Sequence, residues 1–93
     1  NDRLKRASGI DGVFILTVEP GSAAERVGLV GVQRTRRGIL PGDVIVALNS
    51  RPVSRLGDLL ARLDDFQVGQ KVQLTLLRAG EERNVSVELQ PGI

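Results

Sequence analysis

The 93-residue chain contains no histidine, cysteine, methionine, tryptophan or tyrosine, and its aromatic residues are Phe14 and Phe66 alone. Without histidine there is no imidazole base or imidazole metal ligand; without cysteine there is no thiolate nucleophile, thiolate ligand or disulfide. Absence of cysteine is compatible with an oxidising compartment and does not demonstrate one. With so few rings the core must be aliphatic. No apolar run reaches the ~18–20 residues that span a bilayer, so no direct membrane insertion is expected. Nor does a charged start precede an apolar stretch as in a signal peptide. The chain opens on Asn1 rather than methionine, which reads as an excised fragment of a larger protein. Hydrophobic residues at 41% and charged residues at 26% are ordinary for a globular domain, and the length suits one.

The chemistry left rests on Ser, Lys, Asp and Glu. A Ser–Lys pair would have to draw on five serines and on Lys5 and Lys71. Ser22 and Ser54 read as helix caps, and Ser86 as the outer face of a strand. The adjacent acids Asp64-Asp65 and Glu81-Glu82 point apart on a helix or strand, so neither makes a carboxylate dyad. The glycines form neither GxGxxG nor GxxxxGK[ST], the patterns that cradle phosphates, and read as turns and caps. No catalysis and no cofactor are therefore expected of this chain.

A pI of 9.9 suggests a polyanion partner, but the net charge is only +2. The one basic cluster is Arg34, Arg36 and Arg37. It suits an acidic partner, a phosphate backbone or a neighbouring domain, and equally a solvated loop. No aromatic platform accompanies it, which argues against nucleic acid. These three arginines are the candidate protein contact.

Along the chain, residues 2–8 predict a turn or two of helix stopped by Gly9. Residues 13–18 (VFILTV) predict a strand buried on both faces. Ser22 and Glu25 have capping-box spacing for a short helix that Gly28 ends. Residues 30–41 read as an exposed loop, and 43–48 (DVIVAL) as a second apolar strand. Residues 53–65 carry the strongest helical signal: Ser54 as N-cap, then Leu56, Leu59, Leu60 and Leu63 on one stripe. Alternation at Val72, Leu74 and Leu76, and again at Val85, Val87 and Leu89, predicts a hairpin through Ala79-Gly80-Glu81. The fold class is α+β, mainly β: a small antiparallel sheet or partial barrel capped by one short and one longer helix.

Gly12-Val13-Phe14-Ile15, then residues 18–24 (VEPGSAA), Gly28-Leu29 and residues 42–49 (GDVIVALN) resemble, in order and spacing, a PDZ domain. Residues 51–54 (RPVS), Val68-Gly69 and residues 76–80 (LLRAG) extend the likeness. The pattern is similar to PDZ domains that follow the trypsin-like catalytic domain of HtrA/Deg serine proteases, and the basic stretch at 33–39 to a longer loop in a subset of Deg proteases. The resemblance implies a single domain over residues 1–93, with a short helix and loop at 1–11 and the PDZ core at 12–90. It implies a substrate-recognition or regulatory module of an extracytoplasmic serine endopeptidase, in the bacterial periplasm or an equivalent. Its partners would be unfolded or C-terminal peptide segments with apolar ends, the protease domain and neighbouring subunits. An assembly module of another PDZ-bearing prokaryotic protease or secretion protein is the alternative. Mapped onto the long helix, the family pattern places Leu56, Leu60 and Leu63 beside a peptide groove and Asp64 at its far end, with Leu59 in the core. A wholly core-facing stripe is the competing reading. In the family, a Gly-flanked loop and strand that capture the peptide carboxylate precede the first helix. Gly9-Ile10-Asp11-Gly12 is a candidate for that loop, but it directly precedes the strand leading to Glu19-Pro20-Gly21, one strand too late. The favoured expectation is that the chain lacks that strand and binds peptides weakly by itself.

Overall fold

The chain is described by a computed structural model for Arg6 and residues 9–90. Apart from Arg6, the helical turn expected at residues 2–8 lies outside the described residues. The hairpin expected near the C-terminus is the longest-paired unit: β6 (Lys71–Arg78) runs antiparallel to β7 (Glu81–Glu88) in register from Lys71↔Glu88 to Arg78↔Glu81. Ala79 and Gly80 form its two-residue turn with φ of 52° and 81°, matching the right-handed strand twist. Period-2 alternation does the rest: Val72, Leu74 and Leu76 are buried while Lys71 and Gln73 face water.

The second edge of β6 pairs with β4 (Val44–Leu48), with an irregularity in register between Ile45 and Ala47. On its other side β4 holds two short strands, β1 (Val13–Phe14) and β5 (Arg51–Pro52). The path β1-β4-β6-β7 is antiparallel throughout. Asn49 and Ser50 make another tight turn with positive φ, entering β5. Asn49 also ties β4 to β6, its Oδ1 accepting from the Gln73 N–H at 2.7 Å and its own N–H reaching the Gln73 carbonyl.

Among the described residues, two helices cover the sheet. The short α1 (Ala23–Arg26) starts at Ser22, whose Oγ accepts from the Glu25 N–H, and the Glu25 carboxylate accepts from the Gly21 N–H. The longer α2 (Leu56–Leu63) has Arg55 rather than Ser54 at its N-cap. Asp58 Oδ2 gathers the N–H groups of Ser54 and Arg55 and the Ser54 hydroxyl, so the carboxylate one turn in caps this helix. Buried aliphatic side chains from both helices and the sheet, among them Leu48, Leu59, Val72 and Leu76, form one cluster.

Two expectations are corrected. The strand at 13–18 stops early: Ile15 still donates to the Asp43 carbonyl, but the Ile15 and Leu16 carbonyls accept the Val32 N–H. That crossing segment draws the chain off the sheet and leaves Leu16 half exposed. Residues 30–41 are not a plain loop but contain a separate ribbon, β2 (Gln33–Thr35) with β3 (Gly38–Leu40). Strands of three residues with no buried face carry no alternation to betray them.

Asp43 is the fold's polar centre, with none of its surface exposed. Arg78 meets it with a two-pronged ion pair, Nε to Oδ1 at 2.6 Å and Nη2 to Oδ2 at 2.7 Å, and the Val30 N–H donates to Oδ2 at 2.8 Å. Arg78 Nη2 also reaches the Gly28 carbonyl. Burial alone would raise the Asp43 pKa. The Arg78 hydrogen bonds, the Val30 N–H and the nearby cations Arg78 and Arg83 outweigh it and hold the carboxyl below its ordinary 3.8. Gly42 precedes it because a Cβ there would collide with the carbonyl oxygens of Val30 and Gly31, backbone atoms that cannot rotate aside.

A lowered native pKa means that the stabilisation is complete above the unfolded-state value and is lost as pH falls through the folded one. Urea unfolding followed from pH 7 down to pH 2 should show stability falling below about pH 4, and Asp43→Asn should remove much of that slope. Asp43→Ala should cost about 2–3 kcal/mol at neutral pH, less than the ~3–5 of a fully enclosed pair, since Arg78 keeps part of its side chain in water. Gly42→Ala should lower stability by about 1–3 kcal/mol through overpacking, measured the same way.

Candidate functional site

Helix α2 divides its leucines between two environments. Leu59 is 7% exposed, whereas Leu56 is 53% and Leu60 47% exposed. Leu63 is half-buried and packs against the core. Its spacing from Leu59, one turn along the helix, carries both to an apolar cavity of about 160 Å³. The other walls come from Ile15 after β1, Ala23 and Ala24 of α1, and Leu74 and Val87 of the sheet. Engineered apolar cavities of ~150 Å³ stay dry and hold a benzene ring, so this one suits an aliphatic or aromatic side chain.

Of the four groove residues expected from the sequence, Leu63 alone lines this cavity; Leu56 and Leu60 stand in water on the same helix. Asp64 is exposed at the C-cap of α2. At that end the helix dipole disfavours a carboxylate, so the helix itself gains nothing from it. Arg34, Arg36 and Arg37 are all exposed on the β2–β3 ribbon, Arg34 within a strand and the other two in its turn, and they do not line the cavity. Sequence reasoning missed Ile15, Ala23, Ala24 and Leu29 as wall residues. Their apolarity was visible, but nothing in it distinguishes a side chain facing a void from one packed solid.

Strand β1 is one edge of the sheet among the described residues, pairing with β4 on one side. It leads directly into Ile15 at the cavity wall. The site is therefore a sheet edge, a helix with two exposed leucines and an apolar recess. Among the described residues no group of three or more metal-ligating side chains occurs. No helix among them is long and apolar enough to cross a membrane.

Comparison with known proteins agrees with this architecture. Residues 3–89 match the model of the PDZ domain. The chain is 38% identical over 93 residues to the periplasmic serine endoprotease DegP of Escherichia coli K12, covering 97% of this chain and 18% of that protein. It is 34% identical over 84 residues to the chloroplastic Protease Do-like 1 of Arabidopsis thaliana, covering 89% of the chain and 19% of that protein. The chain thus spans about a fifth of the length of these relatives. The solution structure of GtR34C from Geobacillus thermodenitrificans shares the fold, with a TM-score of 0.65 at 22% identity over 87% of this chain and 80% of that one.

The division of leucines along α2 sets different penalties for truncation. Leu59→Ala should destabilise by roughly 2–5 kcal/mol and Leu60→Ala by less than about 1. Equal losses in urea unfolding would mean that the helix faces are misassigned.

Proposed function

The chain belongs to the PDZ domain family, and from that premise we propose that it binds extended peptide segments as a recognition module of an HtrA/Deg-type serine endopeptidase. The observation that carries the reading is the apolar recess lined by α2, α1 and the sheet, with Ile15, directly after β1, in its wall. An extended peptide that adds to a sheet obtains its affinity from main-chain hydrogen bonds and its selectivity from pockets for alternate side chains. Here the recess would take one apolar side chain, while Leu56, Leu60 and Leu63 form the helical wall and Asp64 marks its end. With an aliphatic lining, peptides with apolar ends are favoured over acidic ones, since an unpaired charge placed there loses its hydration.

The similarity to DegP and to Do-like proteases supports placing the domain beside a catalytic domain, in an extracytoplasmic compartment, with unfolded segments or chain termini as its ligands. The domain itself supplies binding and no bond cleavage; the match is to the PDZ model over residues 3–89.

Calorimetry tests the proposal with short peptides ending in Val or Leu and matched peptides ending in Asp. It should be run on the 93-residue chain and on the longer protein proposed to carry it. The expected result is binding of the apolar-ended peptides, stronger in the longer protein, and at least tenfold weaker binding after Leu60→Asp with an unchanged Tm. Indifference to the terminal residue, or to Leu60→Asp, would overturn the assignment of this groove.

A further inference from the structure

The β2–β3 ribbon has no place in the peptide-binding reading. All residues from 33 to 40 are exposed, including Ile39 at 56% and Leu40 at 53%. A lone two-stranded ribbon is marginally stable in water, and this one leaves two large aliphatic side chains uncovered. Its charge is equally uneven. Residues 26–42 hold Arg26, Arg34, Arg36 and Arg37 and no acid, so they carry +4; the whole chain carries +2, leaving −2 for everything else.

Part of that negative charge is gathered along and just beyond α2. Asp58 of α2 and Asp65, one residue past its C-cap, border a cleft of about 290 Å³ with Ala61 and Arg62, and Asp64 is adjacent in sequence. Arg62 does not cancel them fully: its Nη2 is turned to the Pro52 carbonyl. Its Nε–H is out of water with no acceptor among the described residues.

We infer that the β2–β3 ribbon docks into the α2 cleft of a second copy of this chain, a head-to-tail contact made by Arg36 and Arg37 against Asp58, Asp64 and Asp65. Ile39 and Leu40 lie on β3 behind the arginine turn, so they would be partly covered as the ribbon docks. The same layout argues against a lipid surface, because a tip-first approach would bury guanidinium groups ahead of the aliphatic ones. Since donor and acceptor surfaces differ, the contact is heterologous and propagates into rings or open chains. A ribbon of this size makes an interface in the weak, transient class.

Sedimentation equilibrium at about 0.5 mM chain should give a mass above the 10.0 kDa monomer in ~50 mM salt, falling to the monomer in ~1 M salt, where the screening length is ~3 Å. Arg36→Glu/Arg37→Glu should be monomeric at low salt, and so should Asp64→Arg/Asp65→Arg, both with wild-type circular dichroism. Mixing the two variants should restore association, because the reversed ribbon then meets a reversed cleft. A wild type that is monomeric at low salt overturns the proposal. So does association that survives high salt, which would point to pairing through the β1 edge, or a mixture that stays monomeric. Binding of a monomeric wild type to vesicles of one part phosphatidylglycerol to four of phosphatidylcholine would reassign the ribbon to lipid.

Discussion

A carboxylate taken wholly out of water costs several kcal/mol unless cations and N–H groups replace its hydration. Asp43 is in that position, and the way it is satisfied organises the domain. Its backbone and side chain hold Val30, Ile15 and Arg78 at once. Those partners come from the crossing segment, from the residue after β1 and from the far end of β6. Three stretches of chain distant in sequence are thus fixed to one residue. Gly42 makes the arrangement sterically feasible, since only a residue without Cβ lets the Val30 and Gly31 carbonyls approach so closely. Because Arg78 also bonds the Gly28 carbonyl, the end of α1 is anchored to the same point.

With the sheet and α1 fixed there, α2 is held mostly by apolar contact and by its own cap. Asp58 closes the start of the helix, and Leu59 inserts into the core. Burying one leucine contributes about 1.5–3 kcal/mol. That is enough to seat a helix of eight residues, but not to close every gap around it. The apolar recess between α2, α1 and the sheet is the consequence. Leu56 and Leu60 remain uncovered on the same helix. The ribbon likewise leaves Ile39 and Leu40 uncovered, with Arg34, Arg36 and Arg37 exposed beside them.

Strong periodic signals transferred well from sequence to structure. The β6–β7 hairpin, the strand at β4, the α1 cap at Ser22 and the burial of Leu59 all follow from alternation, turn chemistry and helical spacing, each a local property. The expected cap at Ser54 failed for an equally local reason. The helix starts one residue later, with Arg55 at its N-cap, and the Asp58 carboxylate reaches back to the Ser54 and Arg55 N–H groups and to the Ser54 hydroxyl.

The amino-acid sequence by itself determined the family, the aliphatic core, the order of the main elements and the lack of histidine or cysteine chemistry, because residue type and short-range spacing encode these. Tertiary structure alone decided that Asp43 pairs with Arg78 across 35 residues, that β1 ends where Val32 crosses it, and that residues 33–40 form a ribbon. It also decided that Leu63 faces a cavity while Leu56 and Leu60 face water. For all but the ribbon the physical reason is shared: each depends on which distant backbone or side chain arrives beside the residue, and that leaves no periodic trace in the sequence. The ribbon pairs locally, but its short strands have no buried face and so no alternation to mark them.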